Sequence, residues 1–502
     1  MAPTLSKSSR NKDLLVESGY IYHHHSFNRG KTRKYWRCER RGTCNARCIT
    51  GVDLNNLVVY KCDISQHLHP PDETKVAAKQ IVNDIKETAR RNPNARPSDV
   101  IRQNLDQVDN EEILIRLPEK STMKRMINFQ QNDMRPQIPL NLQDVDIQNP
   151  YNRTKTGERF KIFDNGVNPP EPVGRVIIFS TRRNMTFLGR SQTIFVDGTF
   201  KSTPNIFLQL YTIHGVVLNN VFPLVYMLSS RKTEDTYTTL YQQLKIYAQH
   251  HGINLNFQHV MTDFESANIN ALRREFPNVS IHGCLFHFGQ SLWRQIVNRG
   301  LRASFLDVVD TDIREQLLEL MALSFVPLDD VAPVFDMLMD DLHESVVDFA
   351  SYIEATYIRG RPARGRRRAT PPLFPPALWN SHDLVLGGHA RTNNVVEGFH
   401  AKFNQMVHTH HANIWRFIDA LKDVQEETEQ TIAQVRGGHV NVRPPVNKSY
   451  VTNQRRLEQI VQLYQEYKDA DDEGDGIRTF LRACAYTLKL HSNPAPAPAP
   501  DA

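Results

Sequence analysis

A chain of 502 residues is too long for one hydrophobic core, so its length predicts two to four domains. The hydrophobic fraction of 40% and the charged fraction of 23% are typical of soluble globular proteins, and no apolar run approaches the roughly 20 residues of a membrane-spanning helix. Six cysteines, four of them before residue 63, are too few and too unevenly placed for a disulfide framework, so they favour a metal site.

The net charge of +6 comes from the N-terminal segment. Residues 1–70 contain 12 Lys or Arg and 5 Asp or Glu, a net charge of +7, whereas the other 49 basic and 50 acidic residues sum to −1. A compact basic surface favours a polyanion as partner, because Lys and Arg release condensed counterions when they contact phosphates. Nucleic acid is therefore the predicted partner of this segment.

Residues 13–70 alternate short β-like runs with polar turns, which predicts a small β-rich unit. This unit contains two cysteines followed by two histidines, and two thiolates with two imidazoles satisfy the tetrahedral preference of zinc. A unit of this size needs a metal to hold its fold, and the one-residue spacing of the histidines places both on the same side of an extended segment. The predicted zinc ligands are Cys38, Cys44, His67 and His69.

The segments YWRC, CNAR and HLH in this unit resemble the FLYWCH-type zinc finger, a β-rich module that binds DNA or protein and is often joined to transposase domains. The resemblance covers residues 13–70 and implies that Tyr35 and Trp36 are core aromatic residues beside the metal. Cys48 and Cys62 remain open as competing ligands or as small buried residues of β-like runs. The basic residues expected to contact phosphates are Arg29, Lys31, Arg33, Lys34, Arg37, Arg40, Arg41 and Arg47.

Residues 74–135 have a helical pattern. The segments TKVAAKQIVNDIKETARR, ARPSDVIRQNL and STMKRMINFQQNDM each open on a Ser, Thr or Pro signal for the start of a helix. Helices of this kind could form a DNA-reading module or a helical linker, and the sequence leaves both interpretations open.

From about residue 175 to 300 the pattern is that of an α/β domain. Strand-like runs in VGRVIIFST, QTIFVDGTF, NIFLQLYTI and VFPLVYML precede an alternation of helices and strands. This order predicts consecutive strands that pair antiparallel, followed by right-handed crossovers to parallel strands. Pro223 within VFPLVYML predicts either an edge strand or a bulge.

Two aspartates close strands of this domain, Asp197 in IFVDGTF and Asp263 in VMTDFES. Carboxylates at adjacent strand ends repel each other unless they share a cation, so such pairs recur in two-metal phosphoryl chemistry. The 66 residues from one to the other contain two strands and a helix, which fits the first and fourth strands of a ribonuclease H-like sheet. That architecture needs a third carboxylate on a later helix.

Glu397 in RTNNVVEGFH fits this third position. Thr392 can cap the helix, whose apolar stripe lies beside a polar stripe that contains Glu397. The polar stripe has three- and four-residue spacing and consists of Asn393, Glu397, His400 and Asn404. The last two are candidate groups to support Glu397 as a metal ligand.

Between about 300 and 385 acidic helical segments lead into a basic Pro-rich loop, which predicts a helical insertion within the α/β domain. Residues 359–368, RGRPARGRRR, could contact DNA, because RGRP resembles the core of an AT-hook, or could be a nuclear localisation signal. Residues 386–436 contain the helix with Glu397. Residues 437–502 are predicted to add a helix and a Pro/Ala tail that cannot build a core.

The segments VDGTF, TDFE, GCLFH, LFPPALWN and RTNNVVEGFH occur in the order found in Mutator-like element (MULE) transposases. The resemblance covers residues 190–425 and implies an Asp-Asp-Glu transposase with an α/β, ribonuclease H-like mixed-sheet core and a helical insertion. It implies that two Mg²⁺ or Mn²⁺ ions are held by Asp197, Asp263 and Glu397.

The pair Cys284 and His287 recurs near the site of that family, where it is expected either to bind a second structural metal or to organise the helix that follows. A buried cysteine beside a satisfied histidine is the alternative that the residues themselves leave open. The residues that could complete such a site are His408, His410 and His411. The resemblance also predicts double-stranded DNA as partner, at element ends and target, a homo-oligomer on DNA, a nuclear location and no membrane partner. A domesticated DNA-binding transcriptional regulator without catalysis is the alternative, and the three intact acids favour the enzyme.

Overall fold

A computed structural model describes residues 4–7, 12–53, 57–93, 95–133, 135–307, 309–365, 368–407, 412–439, 448–470 and 475–487. The chain divides into two compact units, residues 1–138 and residues 139–502. Within the described ranges, every helix is too short or too polar to cross a membrane.

The first unit opens with a six-stranded antiparallel sheet in which the strands lie in sequence order. Side chains alternate between its two faces, so Trp36 and Cys38 are buried whereas Arg37 between them is only partly covered. Tyr22 and Cys48 join them in a small core. The strands are β1 Thr4–Lys7, β2 Asp13–Glu17, β3 Tyr20–Phe27, β4 Arg33–Cys38, β5 Arg47–Gly51 and β6 Val59–Cys62.

Four helices complete the first unit, and the first, second and fourth of them share one apolar core. Ile85 and Ala89 pack with Val100, Met123 and Ile127. The predicted helical pattern of residues 74–135 therefore folds as a small bundle rather than as an extended segment. The helices are α1 Glu73–Arg91, α2 Pro97–Leu105, α3 Glu111–Arg116 and α4 Lys120–Asp133.

The second unit contains a seven-stranded mixed sheet in the order β13-β12-β9-β10-β11-β8-β7. β12 is parallel to both β9 and β13, and the other pairs are antiparallel. The prediction of a mixed sheet with an antiparallel start is confirmed, and β7 is a strand that the sequence pattern did not reveal. The strands are β7 Lys161–Asp164, β8 Val176–Phe179, β9 Thr193–Thr199, β10 Gln209–Val217, β11 Asn220–Ser229, β12 His259–Thr262 and β13 Ser280–Gly283.

Pro223 lies at a bulge and not on an edge strand, since β11 pairs with β10 on one side and β8 on the other. The register between β10 and β11 shifts between Ile213 and His214, at the level of Pro223. Leu224 has no partner in this register, and its carbonyl accepts a hydrogen bond from the Ser180 hydroxyl at 2.8 Å. The bulge therefore accommodates the missing N–H of proline inside the sheet.

One face of the sheet is covered by three helices. Met185 and Leu188 from the first, Leu240 and Leu244 from the second, and Leu272 from the third pack against the strands. The hydroxyl of Thr233 caps the second helix by accepting a hydrogen bond from the backbone N–H of the third residue of that helix. These helices are α5 Arg182–Arg190, α6 Glu234–His250 and α7 Ser266–Glu275.

Helices replace strands after β13, as predicted for the insertion. Phe288 and Trp379 stack with ring centroids 5.0 Å apart, and Trp293, Phe305 and Phe335 belong to the same core. The helices are α8 Leu285–Asn298, α9 Arg302–Leu306, α10 Asp312–Ala322, α11 Val331–Met339, α12 Val347–Ile353, α13 Pro376–Trp379 and α14 His382–Leu386.

The opposite face of the sheet is covered by α15 Asn394–Val407 and α16 Ile414–Arg436. Phe403 and Phe417 from these helices pack against Phe179, Leu210 and Tyr226 of the strands. The sheet thus lies between two helical layers, and α15 crosses the face that carries the side chain of Asp197.

Three further helices follow residue 447, whereas the sequence predicted one helix and a tail. Leu457, Tyr464 and Phe480 join the core of the insertion. The carboxylate of buried Glu319 accepts hydrogen bonds from an arginine pair on the last of these helices, so the C-terminal segment is part of the folded unit. The helices are α17 Lys448–Gln462, α18 Tyr464–Asp469 and α19 Asp475–Thr487, and the Pro/Ala tail lies outside the described residues.

Candidate metal centres and nucleic-acid interface

Asp197 on β9 and Asp263, directly after β12, lie at the same level of neighbouring parallel strands. The register pairs His259 of β12 with Thr193 of β9, and each aspartate is four residues further along. An even number of residues keeps both side chains on one face, and neighbouring strands are about 4.8 Å apart. The sheet therefore places the two predicted carboxylates side by side.

The start of α15 places Glu397 over the same end of the sheet. The side-chain amide of Asn393 donates to the Val196 carbonyl at 3.0 Å, and its backbone N–H donates to Cys284 Sγ at 3.1 Å. The Asn393 carbonyl then accepts from the N–H of Glu397 at 3.1 Å. The prediction that Thr392 caps the helix is wrong, because buried Asn393 occupies the position before the first helical residue.

The environment of the three acids disfavours their charged forms. Burial raises the pKa of Asp197 well above its ordinary value, and the charges of Asp263 and Glu397 raise it further. Burial also raises the pKa of Asp263 and of Glu397, although the neighbouring His287 acts in the opposite direction. A divalent cation would relieve this repulsion, so the residues present fit a cation-binding site of oxygen ligands.

Glu265 is a fourth carboxylate at this site. Its backbone N–H donates to Asp263 Oδ1 at 3.3 Å, and its Oε1 is buried with no hydrogen-bond partner in the described part of the chain. Burial, followed by the charge of Asp263, raises the pKa of Glu265 to about 7. The exposed cation of Lys232 lowers the pKa of both acids. The TDFE motif contains Glu265, but a single sequence gives no reason to prefer it to any other surface glutamate.

Two histidines flank the acids. Nε2 of His287 lies 3.5 Å from Oε1 of Glu397, and Nδ1 of His400 lies 3.5 Å from Oδ2 of Asp197. Burial lowers the pKa of His400 to about 4, so this imidazole is neutral at neutral pH. His400 was predicted to support Glu397, but the structure places it against Asp197.

Cys284 and His287 have different partners. The Cys284 thiol accepts a hydrogen bond from the backbone N–H of Asn393, and burial raises its pKa to about 11. His287 instead faces Glu397. Among the described residues no further ligand joins this pair, and the histidines predicted to complete it, His408, His410 and His411, lie outside them.

The four predicted finger ligands converge. Cys38 Sγ lies 3.2 Å from His69 Nε2, and Cys44 Sγ lies 3.3 Å from His67 Nδ1. The two imidazole nitrogens are 3.3 Å apart. These are the only Cys, His, Asp or Glu ligand atoms in the described ranges that form a group of three or more within 4.8 Å of one another. The predicted Cys/His ligand group is therefore confirmed as a candidate metal site.

The outer nitrogens of both histidines are occupied. Nδ1 of His69 lies 3.0 Å from the Pro70 carbonyl, which can only accept, so this nitrogen carries the proton and Nε2 presents its lone pair to the ligand group. Nε2 of His67 lies 2.7 Å from the Tyr22 hydroxyl, and the Tyr20 ring stacks on His67 at 3.6 Å. Such contacts fix the orientation of metal-binding imidazoles.

Cys48 and Cys62 are not ligands. They face each other directly on β5 and β6, with a Cα–Cα distance of 4.1 Å, and they form a disulfide. The sequence left these two residues open as competing ligands or as small buried residues, and it did not predict their pairing. The two cysteines pair because of the register between β5 and β6, and the register of two short strands is not evident from cysteine spacing.

A basic surface lies on the outer face of the first sheet. Arg37 of β4 is directly opposite Arg47 of β5, and Arg33 lies further along β4 on the same face. Slight desolvation and then the charges of Arg37, Arg47 and Arg41 lower the pKa of His25. We call this surface the arginine face, defined by Arg33, Arg37, Arg40, Arg41 and Arg47, of which all but the half-buried Arg37 are exposed.

Lys34 does not belong to this surface. The alternation of β4 places it on the inner face, where its Nζ is 2.7 Å from Asp13 Oδ2 and 4.8 Å from the centroid of the Trp36 ring. Its side chain is buried, so the prediction that it contacts phosphate is corrected. Tyr35 points to the outer face and is half-buried, whereas Trp36 lies in the core as predicted.

The basic loop of residues 359–368 is only partly available to a partner. Nη1 of Arg359 is 2.7 Å from Asp336 and 3.2 Å from Glu354, so the first arginine of the AT-hook-like segment is used within the fold. Arg361 and Arg364 are exposed.

Two family models match the chain. Residues 193–291 match the MULE transposase domain, and residues 5–69 match the FLYWCH zinc finger domain. Among curated proteins, none matches the chain. Both resemblances stated from the sequence motifs are thereby confirmed. The first match contains Asp197 and Asp263, whereas Glu397 lies beyond it.

Proposed function

We propose that this chain, in which a FLYWCH zinc finger precedes a MULE transposase domain, is a DNA transposase that hydrolyses phosphodiester bonds and transfers strands with Asp197, Asp263 and Glu397. One observation carries the proposal: buried Asp197 on β9 and half-buried Asp263, directly after β12, stand side by side, and the helix with the third carboxylate crosses the same face. No feature of the described residues favours a regulator without catalysis.

The topology supports a ribonuclease H-like core. Three consecutive strands, β9 to β11, pair antiparallel, and β12 and β13 add in parallel on the other side of β9. Helices lie between these later strands, as the predicted right-handed crossovers require. β8 and β7 extend the sheet beyond β11.

The carboxylates fit Mg²⁺ or Mn²⁺, because both ions prefer oxygen ligands. In the described conformation the oxygens of Asp197, Asp263 and Glu397 do not all lie within 4.8 Å of one another. When bound, such ions activate water and stabilise charge at the scissile phosphate. The protein holds the acids in place through the strand register and the Asn393 hydrogen bonds, and exposed Lys232 is available to a DNA phosphate.

The finger residues fit Zn²⁺, since two thiolates and two imidazoles approach each other with both outer nitrogens occupied. Zinc would hold β4 and the His67–His69 segment together and so support the arginine face. That face supplies the contacts to the DNA backbone. We further propose that the chain acts in the nucleus and as a homo-oligomer on DNA, because joining two element ends requires two active sites.

The test uses the full chain with supercoiled plasmid and Mg²⁺ or Mn²⁺. Nicking should disappear in Asp197→Asn, Asp263→Asn and Glu397→Gln, whereas DNA binding, which belongs to the finger, should persist. Asp235→Asn, a partly exposed acid in the first turn of α6, is the matched control and should cut as the wild type does. Undiminished nicking by any of the three site variants would reject the assignment.

A further inference from the structure

Three histidines outside both sites surround one cavity. His259 belongs to β12, His282 to β13, and His389 to the segment between α14 and α15. The cavity has a volume of about 390 Å³, and all three imidazoles line it. None of them takes part in the proposed reaction.

Two of these imidazoles are placed as metal ligands are. Nδ1 of His259 lies 3.3 Å from Nε2 of His282, the same separation as between the facing nitrogens of His67 and His69 in the finger. This is long for a hydrogen bond, whose usual length is about 2.9–3.0 Å, but it equals the edge of a tetrahedron with metal–nitrogen bonds of about 2.0–2.1 Å.

The third histidine lies beside them, although in its present rotamer the three imidazoles do not offer nitrogens that all lie within 4.8 Å of one another. The ring centroid of His389 is 5.7 Å from that of His259, with 31° between the ring planes. His389 is exposed, so its side chain is free to rotate toward the other two.

We propose that His259, His282 and His389 bind one Zn²⁺ ion or a similar late transition-metal ion. Three imidazoles and no carboxylate line this cavity, a ligand set that favours zinc, nickel or copper over Mg²⁺. The cavity leaves space for a water molecule or another small ligand at the fourth position.

The site also has a structural consequence. His259 is the first residue of β12, and Asp263 follows its last residue, so the two are four positions apart and point to the same side. Phe195 and Met261 belong to a small apolar cluster that lies between the histidine site and the acid site. The segment from His389 to Glu397 runs from the histidine site to the acid site. A metal ion would fix the histidine end of this segment and thereby the start of α15. This consequence rests on the proposed function, whereas the metal site itself does not.

Metal content tests the proposal. The full chain is loaded with Zn²⁺ in the presence of excess Mg²⁺, which occupies the acids, and is then dialysed and analysed for zinc. His282→Gln and His389→Ala should each retain about one equivalent less than the wild type. Cys38→Ser should lose a different equivalent, that of the finger. His250→Gln, an exposed histidine at the end of α6, should retain the wild-type content.

Two further measurements make the result decisive. His389 is exposed, so His389→Ala should keep the wild-type circular dichroism spectrum, and its zinc loss then reports a ligand and not unfolding. With Co²⁺, the finger should give thiolate charge-transfer absorption, and the histidine site should add only ligand-field bands, which His389→Ala removes. Equal metal content and equal spectra in the wild type and both histidine variants would overturn the proposal and leave a hydrogen-bonded imidazole pair.

Discussion

Nδ1 of His400 lies 3.5 Å from Oδ2 of Asp197, and the opposite ring nitrogen lies 3.1 Å from the Thr212 hydroxyl. Nε2 of His214 lies 3.0 Å from the same hydroxyl. Because burial keeps His400 neutral, one nitrogen donates and the other accepts. The Thr212 hydroxyl also lies 3.4 Å from the backbone carbonyl of Asp197, and its single proton can be donated to only one acceptor. When Thr212 donates to the closer His400, the N–H of His400 faces Asp197 and orients its carboxylate.

The first prediction follows from this arrangement. His400→Leu should weaken Mn²⁺ binding and Mn²⁺-dependent nicking by about 10–100-fold, because contacts that orient a metal-binding carboxylate typically contribute this much. Thr212→Val should have a smaller effect in the same direction, and Thr212→Ser should restore wild-type values. Mn²⁺ binding is measured by electron paramagnetic resonance. An unchanged dissociation constant in His400→Leu would mean that His400 only fills space.

The second prediction concerns the finger. Cys38→Ser or His69→Ala should release zinc and unfold residues 13–70, because the small core of this sheet depends on its metal. Tyr22→Phe keeps the aromatic ring but removes the hydroxyl 2.7 Å from His67, so it should lower zinc affinity by about 10–100-fold without unfolding the zinc-loaded protein. Competition with a chromophoric chelator measures the affinity. Wild-type affinity in Tyr22→Phe would show that the hydroxyl does not orient His67.

The sequence identified site residues that belong to recognisable motifs, but it did not identify residues that only the fold brings to the site. The order of the motifs identified Asp197, Asp263 and the four finger ligands, because their residue types are those that bind metals. Glu265 and Lys232 belong to the acid site only because α7 and the start of α6 lie beside the strand ends, which no local pattern reveals.

Three features were predicted wrongly or missed because a sequence does not show how strands and helices are aligned with one another. Lys34 was grouped with the neighbouring basic residues, but side chains alternate along β4, and Lys34 lies on the inner face with Trp36. Cys48 and Cys62 became a disulfide because β5 and β6 pair in one particular register. His400 lies against Asp197 because α15 crosses the sheet at an angle that its own periodicity does not determine.

The third prediction separates the arginine face from Lys34. Arg37→Ala and Arg47→Ala should each weaken DNA binding. Each should also reduce the slope of the logarithm of the association constant against the logarithm of the salt concentration by about 0.9, the value for one phosphate contact. Fluorescence anisotropy with duplex DNA at several salt concentrations provides the measurement. Lys34→Ala should instead destabilise the first unit, since it removes the 2.7 Å ion pair between Lys34 and half-buried Asp13, and should preserve the salt dependence. A reduced slope in Lys34→Ala alone would contradict this division.

The fourth prediction concerns the C-terminal helices. Glu319 is fully buried on α10, and its two oxygens accept hydrogen bonds from Arg478 at 2.8 Å and Arg482 at 2.7 Å. Burial raises the pKa of Glu319, and the two arginines oppose this effect. Glu319→Ala leaves Arg478, which is largely buried, without its main partner and should lower the free energy of unfolding by about 3 kcal/mol.

The matched control for this prediction is Glu315→Ala, one turn earlier on α10. Glu315 lies 3.2 Å from the same Arg482, but both side chains are substantially exposed, so solvent screens the pair. Its loss should change the free energy of unfolding by less than about 1 kcal/mol. Urea denaturation measures both values, and limited proteolysis should show earlier cleavage after residue 447 only in Glu319→Ala. Equal stability of the two variants would mean that α19 is held by its apolar contacts alone.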